Sequence, residues 1–245
     1  MENSKPIIVT KNLTKIYDEG AVPVKAVDNV NLEVIPGEFT ALVGPSGSGK
    51  TTLLNLIGGL DYPTDGEIWI NDIEISGLNK SERIDFRLNN IGFVFQAYNL
   101  IPVLTAKENI EFVMLLQNKT KAERDKRVHE LLIEVDLLDK INNRPSELSG
   151  GQQQRVAVAR ALASKPAFIL ADEPTANLDS KTAANLLDTM EKLNREENMT
   201  FIFSTHDQRV IERAHRVITL VDGAITKDES AEKPIEEMKS VIEEG

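Results

Sequence analysis

The spacing of apolar and polar positions changes character along the chain. From residue 7 to residue 44, "IIVTKNL", "VNLEVI" and "EFTALVG" alternate or run β-branched around the turn signal "IPGE", which predicts strands. "KTTLLNLIGGL" then predicts a helix leaving a glycine loop, "GEIWI" a short strand after the turn "DYPTDG", and "IGFVFQ" a strand ending at Gln96. Between about residues 100 and 146 apolar positions recur every three to four residues, in "TAKENIEFVMLL" and "KAERDKRVHELLIEV", and no strand interrupts them. A further helix is expected over 152–164. "FILAD" and "MTFIFST" are almost wholly apolar, as strands buried on both faces of a parallel sheet are. No internal repeat or heptad pattern is present, and the whole reads as an α/β chain.

Composition narrows the picture. With 245 residues, 41% hydrophobic and 27% charged, the chain is long enough for one large domain or two small ones. No stretch approaches the roughly 18 apolar residues of a membrane span. "MENSKPIIVTK" also lacks an apolar signal core, so a cytoplasmic location is expected. The absence of cysteine excludes disulfides and cysteine-ligated zinc or iron–sulfur sites. Seven acids stand against Lys233 and Lys239 from Asp228 onward, so five of the eleven net negative charges fall in residues 228–245. That segment is expected to be a mobile acidic tail. Neither body nor tail carries the basic excess that nucleic-acid binding requires.

"GPSGSGKT" carries the chemistry. Gly44, Pro45, Ser46, Gly47, Ser48, Gly49, Lys50 and Thr51 match G-x-x-x-x-G-K-[ST], with a strand before and a helix, beginning with Thr52, after. Such a loop wraps backbone N–H groups around a β-phosphate; Lys50 meets the β- and γ-oxygens and the Thr51 hydroxyl can ligate Mg²⁺. "FILADE" delivers Asp172 to the same sheet edge, where it would hold Mg²⁺ through a water, and Glu173 is placed to polarise an attacking water. His206 follows a buried strand to the edge where open α/β sheets bind ligands, in reach of a γ-phosphate. His129 and His215 read as structural.

Three positions keep two readings on residue chemistry alone. Gln96 either reaches Mg²⁺ or the attacking water, or simply ends a strand. Tyr17 either stacks on adenine or is a buried tyrosine. In "LSGGQQQR", Ser149, Gly150, Gly151 and Gln152 open a helix whose first turn either binds an anion or is merely capped by Ser149.

"GPSGSGKT", Gln96, "LSGGQ", "ILADEP", "NLD" and "STHD", in that order, resemble an ABC-transporter ATPase subunit over about residues 7–225. The resemblance implies a P-loop NTPase core with a mainly parallel sheet (about 1–98 and 165–227), an N-terminal antiparallel β-subdomain, and an inserted helical subdomain (about 99–164) carrying the signature. It further implies ATP and Mg²⁺ as ligands and a homodimer with two sandwiched ATP molecules. Each Ser149–Gly151 segment would then face its partner's γ-phosphate, and Asp179 would couple the two sites. "LIGGLDYPTDGEI" and "IGFVFQAYNLIPVLTAKENIEF" are similar to the lipoprotein-release and macrolide-export group, the LolD and MacB ATPases. The expectation is an ATPase, peripheral on the inner face of the membrane, that powers a separate permease. A cell-division complex and, more remotely, a soluble non-transport ABC protein are the alternatives.

Overall fold

In this computed structural model, residues 5–18 and 22–230 are described. The early alternation forms β1 (Ile8–Tyr17) and β2 (Val24–Val34), followed by β3 (Phe39–Val43) and helix α1 (Lys50–Ile57). Next come β4 (Asp65–Ile70), β5 (Ile73–Glu74), α2 (Lys80–Asn90) and β6 (Ile91–Val94). The helical middle is α3 (Ala106–Leu116), α4 (Lys121–Glu134), two short 3₁₀ turns, and α5 (Gly150–Ala163). The chain then runs through β7 (Phe168–Asp172), α6 (Ser180–Glu197), β8 (Thr200–Ser204), α7 (Gln208–Ile211), β9 (Arg216–Val221) and β10 (Ala224–Ser230).

Two sheets result. An antiparallel one has the order β2-β1-β4-β5; the other, β10-β9-β3-β8-β7-β6, is parallel except for the edge strand β10. β3 has β9 on one side and β8 on the other, so a crevice opens at its carboxyl end. Side chains alternate across this sheet. Leu42, Leu170 and Ile202 pack with Leu53, Leu56 and Ile57 of α1 and with the antiparallel sheet. Phe39, Ala171, Phe201 and Phe203 pack on the other face with Val156, Leu162, Leu187 and Met190 of α5 and α6. Burial of both faces is why these strands show no alternation in sequence.

β1 and β2 run beyond their apolar segments because pairing, not burial, carries their ends: Tyr17 pairs with Val24, and both are exposed. The pattern reading assigned no element to α2, α6 or α7. α2 buries only Arg83 and Phe86 and is nucleated by an Asn79–Glu82 capping box. The acidic tail expected from Asp228 has its first residues, 228–230, inside β10, and 231–245 lie outside the described residues. Asp228 belongs to the fold because Arg216 donates to both its carboxylate oxygens at 2.7 Å. Among the described residues, no helix is long and apolar enough to cross a membrane.

Candidate functional site

The parallel strands bring their carboxyl ends to one edge, and the loop after β3 opens there. Gly44 is obligatory: at φ +150 a Cβ would stand 2.1 Å from the Leu220 carbonyl oxygen. Lys50 is 9% exposed and its Nζ spans the loop, donating to the Gly44 and Pro45 carbonyls at 2.8 and 3.0 Å. Residues 44–52 line a cleft of about 800 Å³ together with Gln96, Glu173, Ser204 and His206, closed on one side by 24–26 and Asp222. Thr51 Oγ1 donates to the Asp172 carboxylate at 3.1 and 3.2 Å, so these two hard-oxygen groups already converge as a Mg²⁺ site would need.

Glu173 leaves β7 in the left-handed region, φ +47, a conformation that costs a non-glycine residue energy and is found at functional positions. Its N–H donates to the Ser204 carbonyl at 2.8 Å, and its Oε1 lies 2.7 Å from His206 Nδ1. Asp207, next in sequence, accepts from Thr175 Oγ1 at 2.5 Å and is held down to about 2 chiefly by its hydrogen bonds from the Arg209 guanidinium. The segment after Glu173 is thereby tied to the loop that carries His206. Asn177 Nδ2 donates to the Gln96 carbonyl at 3.0 Å, a second tie across the cleft edge.

The model of the ABC transporter family matches residues 27–176. The chain belongs to the ABC transporter family. The cassette is 47% identical over 227 residues to an uncharacterized ABC transporter ATP-binding protein of Methanocaldococcus jannaschii, MJ0796, covering 91% of this chain and 97% of that one. It is 41% identical over 219 residues to LolD, a lipoprotein-releasing system ATP-binding protein of Legionella pneumophila, covering 89% and 96%. It is 43% identical over 232 residues to the macrolide export ATP-binding/permease protein MacB of Campylobacter jejuni, covering 95% of this chain but 35% of that longer one. The solved dimeric post-hydrolysis structure of MJ0796 with ADP and Pi superposes with a TM-score of 0.85 at 45% identity, over 93% of this chain and 100% of that one. The cassette is therefore an ATPase subunit of an ABC transporter, with LolD and MacB among its relatives.

Other predicted site residues of the cassette lie apart from the cleft lining among the described residues. The Tyr17 hydroxyl donates to Asp61 Oδ2 at 2.8 Å, and Lys15 Nζ stands 4.7 Å over its ring. Burial and the Asp61 carboxylate push the phenol up, with neighbouring Thr52 opposing. Ser149 caps α5 through a capping box with Gln152, so the cap reading holds. Gly151 also has a packing role, since a Cβ there would stand 2.0 Å from Thr182 Cγ2 on α6. Asp179 caps α6, accepting from the Lys181 and Thr182 N–H groups at 3.1 Å, and its pKa is lowered first by the Thr182 hydroxyl. His215 is tied into the sheet by its N–H to the Phe39 carbonyl, and His129 rides on α4, far from the cleft lining. Sequence reasoning did not single out Ser204 or the tie made by Asn177. Only the placement of Ser204 at the end of an apolar strand could have flagged it.

Proposed function

We propose that two copies of this cassette close head to tail over two MgATP molecules, and that hydrolysis and reopening drive a separate membrane permease. The observation that carries this reading is the separation, within one chain, of the phosphate loop from the start of α5. The cleft is lined by the phosphate loop, whereas Ser149 at the start of α5 is exposed and contributes nothing to that lining. A helix N-terminus favours an anion, and a second copy closing head to tail would bring its nucleotide there. The relative MJ0796 is dimeric in two solved structures, one of them bound to ADP and Pi, which supports a dimer here.

Each side chain then has a task. The 44–49 backbone and Lys50 hold the phosphates; Thr51 and Asp172 hold Mg²⁺, with Gln96 at the cleft wall. Mg²⁺ bound there would supply charge neutralisation to the phosphates. Glu173 orients a water and takes its proton as the water oxygen bonds to the γ-phosphorus in line with the breaking bond to the β–γ bridging oxygen, while the His206 imidazole meets the γ-phosphate. Tyr17 stacks on adenine, and Asp179, at the dimer interface, couples the two sites. The helical subdomain exposes Phe112, Leu115 and Leu116 on α3 and Val103 before it, an apolar surface near the Gln96 loop that suits a permease helix. The cassette would then sit on the inner face of the membrane and serve a lipoprotein-release or efflux system, in keeping with the lipoprotein-releasing LolD and the macrolide-export MacB.

The test is sedimentation of Glu173→Gln with and without MgATP. Ligand held only by the dimer stabilises it by mass action, so the mass should double with MgATP. An unchanged mass at saturating nucleotide overturns the proposal.

A further inference from the structure

Ser204 ends β8, is 1% exposed, and yet lines the cleft; its Oγ has no hydrogen-bond partner. The rest of the strand, "TFIF", packs in the core, so nothing in the local packing calls for a hydroxyl at its end. A buried hydroxyl without a partner opposes folding and is rare for that reason. Its neighbours in register are Leu42 at the end of β3 and Asp172 at the end of β7. Residues paired in a parallel sheet project to the same side, and side chains along a strand alternate. Leu42, Leu170 and Ile202 face α1. Ser204 and Asp172, each two residues beyond Ile202 and Leu170, face it as well. Thr51 of α1 is the residue whose hydroxyl reaches Asp172, at 3.1 Å. An unpartnered hydroxyl thus stands beside the Thr51–Asp172 pair, at the floor of the cleft.

We infer that Ser204 is a positioning residue for the divalent cation: its hydroxyl hydrogen-bonds a water of the cation's shell beside Asp172. This rests on the reading that the cleft takes MgATP. Mg²⁺ keeps several of its waters when it is bound through one or two protein oxygens and phosphates, and those waters need fixed partners. A serine hydroxyl both donates and accepts, so it can accept a hydrogen bond from a water and still donate its own. Outer partners of this kind change metal affinity by about 10–100-fold when removed. The hydroxyl that is a liability to the free protein is then satisfied when the cation arrives with nucleotide.

The experiment uses the full chain carrying Glu173→Gln, so that nucleotide persists, with Ser204→Ala or Thr51→Ala added. Binding of a fluorescent ATP analogue is titrated in EDTA and across Mg²⁺ concentrations, and melting is recorded without nucleotide. For Ser204→Ala the half-saturating Mg²⁺ should rise about 10-fold while affinity in EDTA and the melting temperature do not fall. An unchanged Mg²⁺ requirement, or an equal loss in EDTA, overturns the inference; so does a lower melting temperature, which marks a purely structural hydroxyl. Thr51→Ala separates the two levels. If it shifts the Mg²⁺ requirement and Ser204→Ala does not, only the Ser204 inference fails, whereas no shift with either overturns the cation reading of the cleft.

Discussion

Glu173 Oε1 lies 2.7 Å from Nδ1 of His206. That contact engages Nδ1 and leaves the other ring nitrogen for a second partner. The glutamate is the sheltered member, 17% exposed against 77% for the histidine. Its backbone is pinned in the left-handed region by the bond to the Ser204 carbonyl, so the carboxylate leaves β7 toward the end of β8. One hydrogen bond therefore joins the two groups assigned to the attacking water and the γ-phosphate. The other carboxylate oxygen, Oε2, accepts a longer bond from Thr205 Oγ1, at 3.4 Å, so a water can take it without displacing His206.

Glu173→Gln keeps the shape and most hydrogen bonding but removes the charge that is useful only in the transition state. Turnover should fall at least about 100-fold, on the order of 3 kcal/mol, with ATP affinity near wild type. Single-turnover hydrolysis beside direct nucleotide titration measures both. Hydrolysis at near wild-type rate would make Glu173 only a strained strand-end acid.

His206→Ala and Lys50→Ala should separate chemistry from binding. Loss of the imidazole should cut turnover and leave nucleotide affinity largely intact. Lys50 meets the ground-state phosphates and also braces the Gly44 and Pro45 carbonyls, so Lys50→Ala should weaken binding itself. Equal affinities in the two variants would contradict this division.

The parts of the fold visible in the sequence are those where one force acts alone. β7 and β8 are buried on both faces, and their unbroken apolar runs say so. The phosphate loop is visible because Gly44 has no steric alternative and its lysine stands at a fixed spacing within the glycine pattern. α2 was invisible because its stability comes from the Asn79 cap and the Arg83 and Arg87 bonds to the Asp61 and Gly59 carbonyls, which leave no apolar stripe. α6 does carry a stripe, at Ala183, Leu186, Leu187, Met190 and Leu193, and was legible in principle. Tyr17 illustrates the other limit. Its link to Asp61, 44 residues away, depends on β1 and the turn after α1 meeting, which no local pattern encodes. Asp228 was counted with the tail for its charge, although its partner Arg216 lies only 12 residues back.

Truncation distinguishes tail from fold. Removing 231–245 should leave basal ATPase within about twofold, since every group assigned to the chemistry lies upstream. Asp228→Asn should lower the melting temperature by about 2–4 °C, the equivalent of roughly 1 kcal/mol for a chain of this size. The Arg216 hydrogen bonds hold Asp228 below the usual carboxylate range. Its contribution is therefore complete above the ordinary carboxylate pKa and is lost as pH falls through the lower folded value. A variant that melts with wild type at neutral pH would return Asp228 to the tail.

Asp207 gives the sharpest pH prediction. The Arg209 guanidinium donates to it through Nε at 2.9 Å and Nη2 at 2.6 Å, Thr175 donates at 2.5 Å, and its pKa is lowered to about 2. Its side chain is 13% exposed and that of Arg209 34%, so solvent screens the pair only in part. Against an unfolded value of about 3.9, the shift contributes about 2–3 kcal/mol at neutral pH. The sign follows from the folded pKa being the lower one: the contribution is present above about pH 4 and is lost as pH falls toward about 2, with roughly half remaining at pH 3. Asp207→Asn should therefore melt about 4–8 °C below wild type between pH 5 and 8, and the gap should narrow clearly by pH 3. Because Thr175 follows Glu173 and Asp207 follows His206, the variant should also lower turnover more than its stability loss explains, with nucleotide affinity kept. A melting difference that stays constant down to pH 3 would show that the carboxylate's charge contributes nothing and that Asp207 acts as a neutral hydrogen-bond acceptor alone.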